Sequence, residues 1–268
     1  MRLKFGRPDL RAYRDYLDTP AATATSEVTV TWAGVTTLLI DDGASAVLTD
    51  GFFSRPGLLT VATRPLRSSR RRIESALDRL GAQRLAAVTP VHTHYDHAMD
   101  SAVVADLTGA RIIGGSSAAQ IAAGHGLYQA DIVTPGEPVT AGNYDITLIE
   151  GHHCPPDRFP GAITAPVAPS ARASAYRGGE AWSTMVAHRP TGRRLLIVGS
   201  AGYVPGALSG CRADVVYLGV GQLGLQPGFF GGFGRGEPRQ QEIGDRGEIE
   251  GRERGHAQPP DDHPAKRL

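Results

Sequence analysis

The chain has 268 residues, 41% of them hydrophobic, and its 28 Lys plus Arg and 27 Asp plus Glu leave a formal net charge of +1. A chain of this size can bury the core of one large two-layer domain, and no second catalytic domain is needed. The near balance of charge supplies no overall field toward nucleic acid or an anionic membrane, so a small-molecule partner is expected instead.

No run of about 18 apolar residues occurs, and the first thirty residues hold no apolar stretch of signal-peptide length, so a cytoplasmic protein without a membrane span is expected. Cys154 and Cys211 are the two cysteines, and without a secretion signal both should stay reduced. Lys4 and Lys266 are the only lysines, an arginine bias that suggests a G+C-rich coding sequence. Nothing in the sequence sets the oligomeric state.

Residues 1–26 read as an N-terminal extension to a domain over residues 27–230. Val28, Val30 and Trp32 share one strand face, residues 36–40 form a second strand after a break at Gly34, and Asp42-Gly43 supplies the turn into a third, residues 46–49, which ends at Asp50. An antiparallel meander should open the fold. Arg64, Arg67, Arg70, Arg71 and Arg72 lead into Ile73, Ala76, Leu77 and Leu80, spaced as an amphipathic helix stopped by Gly81. Those arginines fit a solvated face better than an anion site.

Residues 85–91 form an apolar strand leading into the run VHTHYDHAMD. Beyond it, residues 102–107 read as a helix, 111–113 as a strand and 116–123 as a helix with Ser116 or Ser117 at its N-cap. His125, just past that helix, is expected to be a capping or exposed residue. Residues 144–150 alternate as a strand, 182–188 and 193–198 pair around a turn at 190–192, and 214–220 read as a further buried strand. The stretch 172–182 reads either as a pocket wall, with Tyr176 and Arg177 toward a substrate, or as a plain surface loop.

From about Gly231 the periodicity vanishes and Gly, Arg, Glu, Pro and Gln dominate to residue 268. Such a segment cannot bury enough surface to order itself. Two origins stay open, a native tail or a frameshift that replaced a last helix and strand.

The chemistry concentrates at His92, His94, Asp96 and His97, four metal-capable side chains within six residues at the C-terminal end of a strand. Two imidazoles at i and i+2 can project to one side while the Asp-His pair turns back toward the same point, an arrangement suited to Zn²⁺. The string HTHYDH resembles the HxHxDH signature of the metallo-β-lactamase superfamily of metallohydrolases.

That resemblance implies an α/β fold, the αββα sandwich with metals at the rim between two sheets, its C-terminal part here incomplete. It also implies a third imidazole after a later strand. The turn GHHCPP offers His152 and His153, and His153 fits the H-x-P pattern of relatives, with His152 left to line the site. Asp50 matches an aspartate that orients the metal loop from behind. A bridging aspartate is expected in the segment LLIVGSAGYVPGAL, but Ser200 stands there, and a neutral hydroxyl is a poor bridging ligand. No late histidine matches the family's last ligand.

GSAGYVPGAL is similar to a branch related to ascorbate-6-phosphate lactonases and N-acyl-phosphatidylethanolamine phospholipases D. The resemblance therefore implies one zinc on His92, His94 and His153, a weaker second site through Asp96 and His97, and other divalent ions as alternatives. Two activities follow as expectations. One is a zinc-dependent hydrolase of an ester, lactone or phosphodiester with Asp96 in proton transfer. The other is a metal-binding protein impaired in catalysis.

Overall fold

The computed structural model describes residues 26–199, 202 and 204–219. In chain order the elements are β1 (Thr29–Trp32), β2 (Leu38–Asp41), β3 (Ala46–Thr49), α1 (Leu58–Thr63), β4 (Leu66–Arg67), α2 (Arg70–Leu80) and β5 (Leu85–Thr89). They continue with α3 (Tyr95–Ala98), α4 (Ser101–Thr108), β6 (Arg111–Gly114), α5 (Ser116–Gly124), β7 (Ala130–Ile132), β8 (Pro138–Ala141) and β9 (Tyr144–Gly151). A two-residue strand β10 (Ser170–Ala171) and a 3₁₀ turn precede β11 (Ala181–His188), β12 (Arg194–Val198) and β13 (Val215–Leu218).

Two sheets carry the architecture. The first has six strands in the order β1-β2-β3-β5-β6-β7, and the second has five in the order β13-β12-β11-β9-β8. The first opens as the expected antiparallel meander and then turns parallel from β3 to β5, β6 and β7, each crossover passing through helix. Period-2 alternation explains the layering. Val30, Leu38, Ile40 and Val47 of the first sheet meet Tyr144, Ile146, Leu148, Val186, Leu195 and Ile197 of the second in one buried cluster. Other residues of the first sheet, Leu39, Leu48 and Val88, face the other way and bury Ile73, Leu77 and Leu80 of α2 with Val104 of α4.

Three layers of the expected four are thus seen, helix, sheet and sheet. The outer face of the second sheet is met by Leu208 against Leu196 and Val198, and no helix covers it among the described residues. Ser200 and the tail 231–268 lie outside those residues.

Helix ends follow the sequence with one difference. Gly81 closes α2 in the left-handed region at φ 66°, as its position promises. At α5 the N-cap is Gly115 without a side-chain capping bond, not a serine. Glu180 takes that place from another segment, accepting from Ser116 Oγ at 2.6 Å and from the Ser117 amide at 3.2 Å. A carboxylate at the helix N-terminus satisfies amides that a local serine would otherwise cap. β13 is shorter than expected and only half-buried, and it is the edge strand of its sheet among the described residues. Both cysteines are free. Among the described residues no helix is long and apolar enough to cross a membrane.

Candidate metal centre

The C-terminal ends of β3 and β5 in one sheet and β9 in the other reach the same rim. The Trp182 amide donates to Val91 O at 2.8 Å and so ties the second sheet to the loop that follows β5. That loop carries His92 and His94, then winds into the single turn α3 with His94 at its N-cap and Asp96 and His97 inside it. His153 arrives from the turn after β9.

Three imidazoles converge here. Ring centroids lie 4.9 Å apart for His92 and His94, 4.7 Å for His92 and His153, and 4.6 Å for His94 and His153, at interplanar angles of 89°, 78° and 85°. One ligand atom from each of the three lies within 4.8 Å of the others. Three nearly perpendicular rings thus bring one nitrogen each to a common space, a donor set of the kind a divalent ion takes.

Burial and mutual proximity favour the neutral form of two of these rings, His92 and His153. Burial and then the charges of His97, His153 and His94 hold His92 well below the ordinary histidine range, and burial with the neighbouring His94 lowers His153. A cation needs unprotonated imidazoles. His153 Nδ1 is buried without a hydrogen-bond partner among the described residues. An orphaned buried polar atom costs about 1–3 kcal/mol, so the donor set fits a divalent ion.

His97 sits differently. Its Nδ1 lies 2.7 Å from Asp50 Oδ2, and the ring packs 3.9 Å from that of His92. Burial opposes a charge on His97, yet Asp50 and the nearby Asp96 outweigh it and hold its pKa above the ordinary value. Neither Asp96, half-buried, nor His97 joins the three-histidine group.

Of the remaining sequence candidates, His152 is exposed and lies outside the three-histidine group, in keeping with the alternation expected of adjacent residues at a strand end. Tyr176 is 1% exposed and packs with Leu66, Met99 and Ile121 in a hydrophobic cluster, so its ring offers no surface to a substrate. The apolar ring serves the core, while the neighbouring Arg177 is exposed. Cys154 is a small buried residue outside the histidine group. His125, partly buried, lines a separate groove with Arg67, Arg70 and Asp106.

Sequence reasoning missed Asp157, whose Oδ1 lies 3.1 Å from His94 Nε2. The only sequence signal was an acid a few residues beyond His153. Its partner, far earlier in the chain, is not reachable by spacing.

Fold and site together define a two-sheet α/β sandwich with a candidate metal centre at its rim. No protein-family model and no curated protein matches the chain. Among solved structures it is similar to Igni18, a metallo hydrolase from the archaeon Ignicoccus hospitalis, at 16% identity and TM-score 0.40, over 65% of this chain and 60% of that one. It is similar to a HARLDQ-motif mutant of a metallo-beta-lactamase from Cronobacter sakazakii, at 16% identity and TM-score 0.43, over 84% of this chain and 88% of that one. A third, the metallo-beta-lactamase fold protein YhfI from Bacillus subtilis, aligns at 18% identity and TM-score 0.41, over 70% of this chain and 69% of that one. At these scores the likenesses assign the chain no activity.

Proposed function

We propose that this chain is a metal-dependent hydrolase whose ion, Zn²⁺ by preference, is held by His92, His94 and His153. The observation that carries the reading is the convergence of three mutually perpendicular, largely buried imidazoles at the rim between the sheets. When bound, such an ion supplies Lewis-acid polarisation and makes water a nucleophile near neutral pH.

The protein's own residues do the rest. Asp50 fixes His97 and the backbone of the loop, since its Oδ1 also accepts from the Val91 amide at 2.9 Å. Asp96, only half-buried at the start of α3, would serve as the proton acceptor for water at such a site. Thr93 pins the loop from the other side, donating through Oγ1 to Arg177 O at 2.6 Å and through its amide to Gly178 O at 3.0 Å. A site held this firmly keeps its ligands in register.

Esters, lactones and phosphodiesters suit this chemistry, and the likeness of GSAGYVPGAL to lactonase and phospholipase relatives favours the last two. A cytoplasmic location and a small-molecule substrate belong to the same reading. A second reading, a metal-binding protein without turnover, is favoured by one observation: Asp96 and His97 stand outside the converging group.

Zinc per chain in the wild type, His92→Ala and His153→Ala tests the assignment. Stoichiometric zinc in the wild type and its loss in both variants are expected, and full retention in both sinks it. Turnover of generic phosphodiester, lactone and thioester substrates by the zinc protein separates hydrolase from silent binder.

A further inference from the structure

Asp157 has no part in the chemistry above, yet it is built against a proposed ligand. Its Oδ1 lies 3.1 Å from His94 Nε2, and its side chain is only 25% exposed. It does not belong to the converging group, which comprises His92, His94 and His153. The carboxylate therefore meets His94 at Nε2 without being one of the converging groups.

Its position is fixed by backbone on both sides. The Phe159 amide donates to Asp157 Oδ1 at 3.0 Å, the Gly178 amide donates to Phe159 O at 2.8 Å, and the Thr93 amide donates to Gly178 O at 3.0 Å. This chain of bonds leads from Asp157 back to the residue beside His94. Gly178 leaves the room for it. A Cβ there would lie 3.0 Å from Asp157 Oδ2 and 3.5 Å from His94 Nε2.

The geometry points to Asp157 as the positioning residue of His94: its carboxylate accepts the Nε2 proton, fixes the tautomer and leaves Nδ1 as the bare nitrogen offered to the ion. The contact is close, although Nε2 makes no hydrogen bond of good angle among the described residues. Carboxylates behind metal-binding imidazoles set ring orientation and basicity in this way. The inference rests on the three-histidine reading and says how one of the three is held.

The test uses the full chain, Zn²⁺ as probe and a competing chelator. Asp157→Ala is expected to bind zinc about 10–100-fold more weakly, and Asp157→Asn, which keeps an acceptor oxygen, less weakly than Asp157→Ala. In the zinc-loaded wild type, ¹⁵N spectra of His94 should show a protonated Nε2 and a metal-bound Nδ1. In zinc-free protein, Asp157→Ala should shift His94 toward a mixture of tautomers. A loss of less than tenfold, or His94 bound through Nε2 in the wild type, overturns the role. Should Asp157→Ala not fold, Asp157→Ser, whose short side chain also withdraws the carboxylate from Nε2, is read by the same spectra. A wild type that binds no zinc overturns both this role and the three-histidine site, whereas zinc binding that ignores Asp157 overturns this role alone.

Discussion

His97 Nδ1 lies 2.7 Å from Asp50 Oδ2, and both side chains are almost wholly buried. Asp50 is itself tied down, its amide donating to Thr89 O at 3.1 Å and its carbonyl accepting from Ser101 Oγ at 2.6 Å. Its backbone adopts φ 55°, a left-handed conformation that Asp and Asn tolerate better than other side chains. One residue thus links the end of β3, the loop after β5 and the start of α4.

Replacing Asp50 by alanine strips His97 and the Val91 amide of their buried acceptor and forces alanine into a left-handed residue. A loss of about 3 kcal/mol or more is expected in urea denaturation. Asp50→Asn keeps an acceptor and the backbone tolerance, so it should lose distinctly less. Equal losses in the two variants would show that the hydrogen bonds are not what Asp50 contributes.

The meander, the helix ending at Gly81 and the strand before His92 were all legible because hydrophobic periodicity and glycine punctuation are local signals. Strand alternation likewise separates His153, which lies with His92 and His94, from the exposed His152. Glu180 capping α5 and Asp157 against His94 were not legible. Both join segments far apart in sequence, and a lone carboxylate carries no periodic mark. Tyr176 misled because an aromatic beside an arginine in a polar stretch looks like a pocket wall, whereas its ring fills the core.

Gly179 holds φ at 61°, and a Cβ there would run into Thr93 Oγ1 and lie 2.7 Å from Ser117 Cβ. Gly179→Ala combines left-handed strain with overpacking, so it should destabilise by about 2–5 kcal/mol. Because Thr93 sits between His92 and His94, its zinc affinity should fall as well. Thermal melting and chelator competition report the two effects, and a variant as stable as wild type would contradict the packing.

The Tyr144 hydroxyl is buried with no hydrogen-bond partner among the described residues, and burial pushes its pKa far up. Tyr144→Phe removes an unsatisfied group and keeps the ring that fills the space between the sheets. Stability should stay level or rise by about 1 kcal/mol. A marked loss in denaturation would reveal a partner for that hydroxyl.

At the other end of the sandwich, His188 Nε2 lies 3.1 Å from Asp42 Oδ2 and His188 Nδ1 2.8 Å from Thr191 Oγ1. Burial pushes Asp42 up, but the Ser45 amide, Asn143, the Ala44 amide and His188 outweigh it and lower its pKa from 3.8 to about 2. A carboxyl lowered on folding stabilises the native state above its unfolded value, and that stabilisation is lost as pH falls toward the folded value. Wild type should therefore exceed Asp42→Asn by about 2 kcal/mol at neutral pH, with the gap closing between about pH 4 and pH 2. A gap that stays constant across that window would mean that the Asp42 charge is not what the network binds.

Zinc stoichiometry separates the two halves of the motif. His92, His94 and His153 converge without Asp96 or His97, and His97 already spends Nδ1 on Asp50. The first equivalent should bind tightly, and a second at least about tenfold more weakly, since its remaining ligands are one imidazole nitrogen and one carboxylate. His97→Ala should then abolish only the weak equivalent. Two equivalents of matched affinity in a chelator titration would require a further ligand and would return Asp96 and His97 to a paired-metal site.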